Sequence, residues 1–181
     1  MKTFEFSIVA SGLDPEAEDF ADRFFNAGCD DATLSFQKGH IIADFAREAD
    51  SVDDAICSAI ECVVAAGAIV DRLEPDPLVN LTDIATRAGL TRAAISQYST
   101  GRRSKNFPSP VARVTSDTPL WDWATVAAWL FQHEKLSRDD AIEAEVMKAA
   151  NEAIKDHETH LRDALKERME AYETSLEKET A

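Results

Sequence analysis

The spacing of apolar positions changes several times along the chain, and each change marks an element. Residues 3–10, TFEFSIVA, alternate, with Phe4, Phe6 and Ile8 on one face, as a half-buried strand requires. Asp14 and Pro15 then predict a helix start, with proline at the first helical position and acidic residues in the first turn. Ala17, Phe20, Ala21, Phe24 and Phe25 supply its apolar face, and Asn26-Ala27-Gly28 stops it. Ala32–Phe36 and His40–Ala46 read as two strands joined at Lys38-Gly39. Ser51–Ala66 is a second helix, opened by a Ser51/Asp54 capping box and facing inward with Ile56, Ile60, Val63 and Val64. Gly67 ends it, and Ala68–Leu73 is a last strand.

This order, β-α-β-β-α-β, predicts an α+β chain whose first domain, residues 1–77, is ferredoxin-like: four antiparallel strands with two helices on one face. Glu74-Pro75-Asp76-Pro77 is a linker, since two prolines one residue apart cannot continue a helix or a central strand. A helix-turn-helix follows over Leu81–Arg103, LTDIATRAGLTRAAISQYSTGRR. Thr82 is the expected N-cap of its first helix, which carries Ile84 and Ala85 inward. Gly89 falls where the backbone needs a positive φ, and Leu90 is expected to be buried between the helices. Thr91 caps the second helix, whose inward face is Ala94 (or Ala93), Ile95 and Tyr98. Its outward face holds Arg92, Ser96 and Gln97, side chains of the kind that read base edges in a major groove.

Beyond it, Pro108 and Pro110 force an extended backbone. Val111, Arg113 and Thr115 alternate as in an edge strand, Ser116–Pro119 turns, and Leu120–Trp123 returns. Two short strands after a recognition helix form a wing, with Arg113 placed to touch DNA. The next helix carries Val126, Ala127, Trp129 and Leu130, and all three tryptophans are expected in the core of a small domain, residues 78–132. From Ser137, capped with Asp140, no Gly or Pro interrupts the chain to about Glu177. That predicts one long helix within a third segment, residues 133–181. Its seam of Ile142, Val146, Ala149, Ala153, Ile154, His157, Leu161, Leu165, Met169, Tyr172 and Leu176, weakened by alanines and His157, is a weak coiled coil, which implies a partner. Lys178–Ala181 are expected to fray.

Charge changes this picture by segment. The 181 residues carry a formal charge of −15. Residues 1–79 hold 5 Lys/Arg against 17 Asp/Glu; residues 80–131 reverse the balance with 6 against 3; residues 132–181 hold 8 against 14. Only the middle segment attracts phosphate, and it contains the helix-turn-helix. The acidic flanks suit a basic partner protein or simple solvation.

The segment DIATRAGLTRAAISQYSTGRR…FPSPVARV…PLWDWATVAAWL resembles the winged helix-turn-helix of MerR-like and AlpA/excisionase-like DNA-binding proteins. The resemblance covers about residues 80–131, under a third of the chain. It implies Thr91, Arg92, Ser96 and Gln97 at the groove and Arg102, Arg103, Lys105 and Arg113 on the backbone or in the wing. Thr82, at the head of the first helix, joins these DNA-binding candidates. The chain departs from the MerR sensors in having no cysteine cluster after the wing. It departs from stand-alone excisionases in its N-terminal domain and long tail.

No nucleophile motif, P-loop or GxGxxG is present, so no enzyme activity and no cofactor is expected. His157 and His160 share a helix face, but two histidines fall short of a metal's ligand count, and no metal is expected. Cys29, Cys57 and Cys62, an odd count without metal spacing or a signal peptide, predict buried reduced thiols in a cytoplasmic protein. No apolar run is long enough to span a bilayer. The expected function is a sequence-specific transcriptional regulator of double-stranded DNA, a homodimeric repressor. The alternative is an antitoxin-like protein whose acidic domain or tail binds a partner protein while the middle domain represses its own operon. A third reading, ligand sensing by the first domain, rests on fold analogy alone.

Overall fold

The first strand, β1 (Lys2–Ser11), lies inside a four-stranded sheet in the computed structural model, which describes residues 1–158 and 160–179. After it come α1 (Phe20–Asn26), β2 (Ala32–Gln37), β3 (His40–Ala49), α2 (Val52–Ala65) and β4 (Ile69–Glu74). The sheet runs β2-β3-β1-β4, every neighbouring pair antiparallel. Phe6 opposite Phe45 and Ile8 opposite Ala43 bring the alternating residues of β1 and β3 onto one buried face. On that face the two phenylalanine rings stack at 5.5 Å. Helix α2 covers the sheet with Ala55, Ile56, Ala59 and Val63, all fully buried.

The remaining elements are β5 (Leu78–Val79), α3 (Leu81–Ala88), α4 (Arg92–Ser99), β6 (Trp121–Asp122), α5 (Trp123–Gln132), α6 (Arg138–Lys155) and α7 (Leu161–Glu179). The architecture is thus α+β. The chain forms two compact units, one of Met1–Pro75 with Ala149–Glu170, the other of Asp76–Lys148 with Ala171–Ala181. The segment 133–181 is therefore shared between the two units.

Several local expectations differ from the structure. The helix expected from Pro15 begins only at Phe20. The Asp14 carboxylate accepts the Glu16 N–H at 2.9 Å, and turns at Ala17 and Phe20 follow, so the side chain offers the backbone an alternative to helix. Phe24 is buried, but Phe25 is 66% exposed, so the apolar face is narrower than its composition suggests. The single long tail helix is two helices. Its break needs neither Gly nor Pro: His157 takes φ 55° and its N–H bonds to Ile154, while the Glu158 N–H bonds to Ala153. This is a Schellman close, here with a non-glycine residue in the left-handed position. Glu134 ends α5 the same way, at φ 56°. Lys178 and Glu179 belong to α7; Thr180 and Ala181 lie outside the described residues.

The cysteine expectation is also corrected. Cys29 and Cys62 form a disulfide, with Cα atoms 5.9 Å apart across 33 residues of sequence. The free Cys57 is buried, and burial pushes its thiol up to about 11, so it stays protonated near neutrality. Arg47 lies beside the disulfide and is only 8% exposed. Its guanidinium donates to both oxygens of Asp31, to the Gly28 carbonyl at 2.8 Å, to Ser58 Oγ and to Cys62 Sγ. It thereby ties the end of α1, β3 and α2 together. The same guanidinium holds the Asp31 carboxyl below the usual carboxylate range.

At the β4 edge of the sheet, the Leu73 N–H donates to Asn151 Oδ1 at 2.9 Å, and Asn151 Nδ2 donates to the Leu73 carbonyl at 3.2 Å. One side-chain amide satisfies the backbone groups that a neighbouring strand would otherwise take. Arg162 of α7 bonds Asp54 at 2.8 Å and Glu61 at 3.1 Å, both on α2.

Candidate nucleic-acid interface

Asn80, not Thr82, caps α3. Its Oδ1 accepts the N–H groups of Thr82 and Asp83, and the Asp83 carboxylate accepts the Asn80 N–H. The reciprocal pair is a capping box worth about 1 kcal/mol. The two-residue shift arises because Asn80 is both a better cap and correctly spaced from Asp83. Thr82 is left exposed, its carbonyl accepting the Thr86 hydroxyl at 3.0 Å.

Gly89 closes α3 at φ 63°, as the spacing predicts. Leu90 is half-buried against the second core, and its N–H bonds to Ala85. Thr91 caps α4, its hydroxyl accepting the Ala94 N–H at 3.1 Å. Ile95 and Tyr98 are buried and Ala94 is half-buried, so α4 turns the predicted face inward. That face packs into a core with Ile84, Ala85, Val79, Val126 and Leu130. Trp121 and Trp129 belong to this core, whereas Trp123 is only partly buried against it.

The side of α4 turned away from this core carries Arg92 and Gln97, both exposed, and Ser96, half-exposed. Ala93, the alternative inward residue, lies instead on this exposed side, as does Thr100, which the helical spacing also places there. Thr100 gives its hydroxyl proton to the Ser96 carbonyl at 2.9 Å, so it is already engaged.

The basic run after α4 is held at both ends by aromatic packing. Tyr98 on α4 meets Trp129 at 5.3 Å, and Phe107 returns to the same tryptophan at 5.0 Å. The intervening turn bonds the Arg102 and Arg103 N–H groups to the Gln97 carbonyl. Arg102, Arg103 and Lys105 are therefore exposed on a short loop pinned to the end of α4, with the Arg103 guanidinium 5.4 Å from the Tyr98 ring.

The wing is smaller than expected. Ala112 and Leu120 form a single antiparallel bridge, and the residues between them turn rather than pair. β6 instead pairs with β5, Val79 opposite Trp121, while Trp121 Nε1 donates to the Pro108 carbonyl at 3.0 Å. The prolines explain the shortening, since they remove donors from the approaching chain. Arg113 stands at the start of the turn with φ 50°, exposed, its carbonyl accepting from Ser116.

The guanidinium groups of Arg92, Arg102, Arg103 and Arg113 donate to no protein acceptor among the described residues. Those of Arg23, Arg47, Arg72, Arg138, Arg162 and Arg168 each meet a carboxylate. Arg87, within the motif, serves the fold: it donates to the Asp76 carbonyl and lies 5.5 Å from the Trp123 ring. Exposed guanidinium groups without protein acceptors can bind phosphate oxygens and the acceptor edge of guanine. Among the described residues no His, Cys, Asp and Glu side chains are grouped to hold a metal ion, and no helix is long and apolar enough to cross a membrane. No family model, no curated protein and no solved structure matches the chain.

Proposed function

We propose that the protein is a sequence-specific DNA-binding transcriptional regulator, a dimeric repressor that places α4 in the major groove. In this reading Arg92, Ser96 and Gln97 contact base edges. Thr91, at the N-terminus of α4, and Arg102, Arg103 and Lys105, beyond its C-terminus, contact phosphates. Arg113 reaches the backbone from the reduced wing. The observation that carries the reading is the exposure of Arg92 on the outward side of α4, of Arg102 and Arg103 just beyond its end, and of Arg113 in the later turn, none donating to a protein acceptor among the described residues. The helix pair, its left-handed Gly89 close and the short β5–β6 ladder support a winged helix-turn-helix. The β-α-β-β-α-β order and the β2-β3-β1-β4 sheet support a ferredoxin-like first unit.

Selection of duplex sites from random DNA by the full chain tests this. On a selected site, Arg92→Ala and Gln97→Ala are each expected to cost ~1–3 kcal/mol while binding to unrelated duplex is unchanged. Specific affinity that survives both substitutions would retire α4 as the recognition helix. Light scattering of the full chain tests the dimer.

A further inference from the structure

The unit of Met1–Pro75 and Ala149–Glu170 contains a groove of about 680 Å³ that the DNA-binding reading does not use. One wall comes from α2 and β4, the other from the end of α6 and the start of α7. Ile60, Val64, Ile69, Ile154 and Leu161 line it. Val64 is 55% exposed, although helical spacing would place it on the inward face of α2, and Ile69 is 62% exposed. These exposed apolar side chains, with the groove beside them, offer a surface on which a partner could pack.

Charge selects the occupant. This unit holds 9 Lys/Arg against 22 Asp/Glu. The groove is bordered by Glu61, Glu158 and Asp163. Its one arginine, Arg162, is consumed by Glu61 and Asp54 at 2.8–3.2 Å. An anionic ligand would meet this border with no free guanidinium to receive it. A second copy docking the same surface would bring like charge against like. We propose that the groove docks a cationic amphipathic helix from a partner protein. Its apolar side chains, at i, i+3, i+4 and i+7, would lie over Val64 and Ile69, and its Lys and Arg residues over the border carboxylates. The proposal is independent of the DNA-binding reading, because no residue assigned to DNA lines the groove.

The test uses the full chain and a labelled synthetic helix with leucine at those positions and lysine elsewhere. Its controls are the glutamate-for-lysine counterpart and a scrambled leucine–lysine peptide. The lysine helix is expected to bind with a salt-weakened affinity that exceeds both controls. Val64→Ser with Ile69→Ser is expected to weaken it at least about tenfold, and Glu158→Gln with Asp163→Asn by several-fold. Arg92→Ala is expected to leave it unchanged. A photo-crosslinking version of the peptide should label residues of 60–70 and 153–163 in the unmodified chain, which keeps the test decisive if a variant unfolds. Equal binding of the scrambled or glutamate peptide overturns the proposal. So does unchanged binding by folded Val64→Ser/Ile69→Ser, labelling elsewhere, or no binding up to about 1 mM peptide. Self-association that the same double variant abolishes would identify the occupant as a second copy and would also overturn it.

Discussion

Arginine does opposite work in two regions of this molecule. Arg47 is enclosed by Asp31, Gly28, Ser58 and Cys62, so its donors are spent on holding strand and helices together. Arg92 on α4, Arg102 and Arg103 just beyond its end, and Arg113 in the later turn are exposed with no protein acceptor among the described residues, so their donors face solvent. The same side chain is structural where a carboxylate and low exposure meet it, and available where the local sequence withholds carboxylates. Residues 80–131 contain only 3 acidic residues, none of them Glu, and two of those, Asp83 and Asp122, are taken up as helix caps.

The comparison breaks most sharply at Arg47. Arg47→Ala leaves Asp31 beside a vacated, largely buried site and should cost on the order of 3 kcal/mol, low in the range for broken buried pairs because Asp31 keeps 29% exposure. Urea unfolding measures this; a loss below about 1 kcal/mol would mean that Arg47 is not the tie described. Next in size, Arg102→Ala with Arg103→Ala should lower stability by no more than about 1 kcal/mol, the size of the lost Arg103–Tyr98 ring contact, and weaken binding to all duplex sequences alike. The salt slope of log K against log salt should fall by up to ~0.9 per lost phosphate contact. A change confined to one DNA sequence would move these residues from phosphate to base contacts.

Acid distinguishes the two regions further. The Asp31 carboxyl is held low in the folded chain by its hydrogen bonds to Arg47. Its contribution to stability is therefore present above the unfolded value of about 4 and is lost as pH falls through the lower folded value. Asp31→Asn should remove that part of the acid dependence, as followed by unfolding curves between neutral and strongly acid pH. Identical acid profiles for the variant and the parent would exclude the linkage. The smallest effect concerns the tail: His157→Gly should stabilise by up to about 1 kcal/mol, since glycine takes a left-handed φ without Cβ crowding, and His157→Val should destabilise. Thermal unfolding of the pair would sharpen the account of the helix break; equal melting of both variants would contradict it.

Much of the candidate interface was legible before any coordinates. The inward face of α4, Ile95 and Tyr98, follows from helical spacing, and Gly89 from the need for a left-handed residue between two helices. Thr91 as a cap is equally local. The Asn80 cap is local as well, set by its spacing from Asp83, whereas the expectation placed the cap at Thr82. The wing was overdrawn: alternation at Val111–Thr115 resembles a strand, but a strand needs a partner, and the prolines before it leave only the Ala112–Leu120 bridge.

Sequence by itself determined the order of elements as far as β4, the helix pair with its glycine close, and the local reversal of charge that leaves several arginines without carboxylate partners. These depend on residues a few positions apart, whose periodicity and conformational preference act within one turn or one strand. Tertiary structure alone decided that Cys29 meets Cys62, that Arg47 is buried on Asp31, and that Asn151 completes the edge of β4. It also decided that the tail folds as two helices whose junction lines an apolar groove with acidic borders. Each of these joins groups brought together by packing, where the gain comes from removing apolar surface from water and pairing the polar atoms left inside. No local pattern encodes which distant partner will be there.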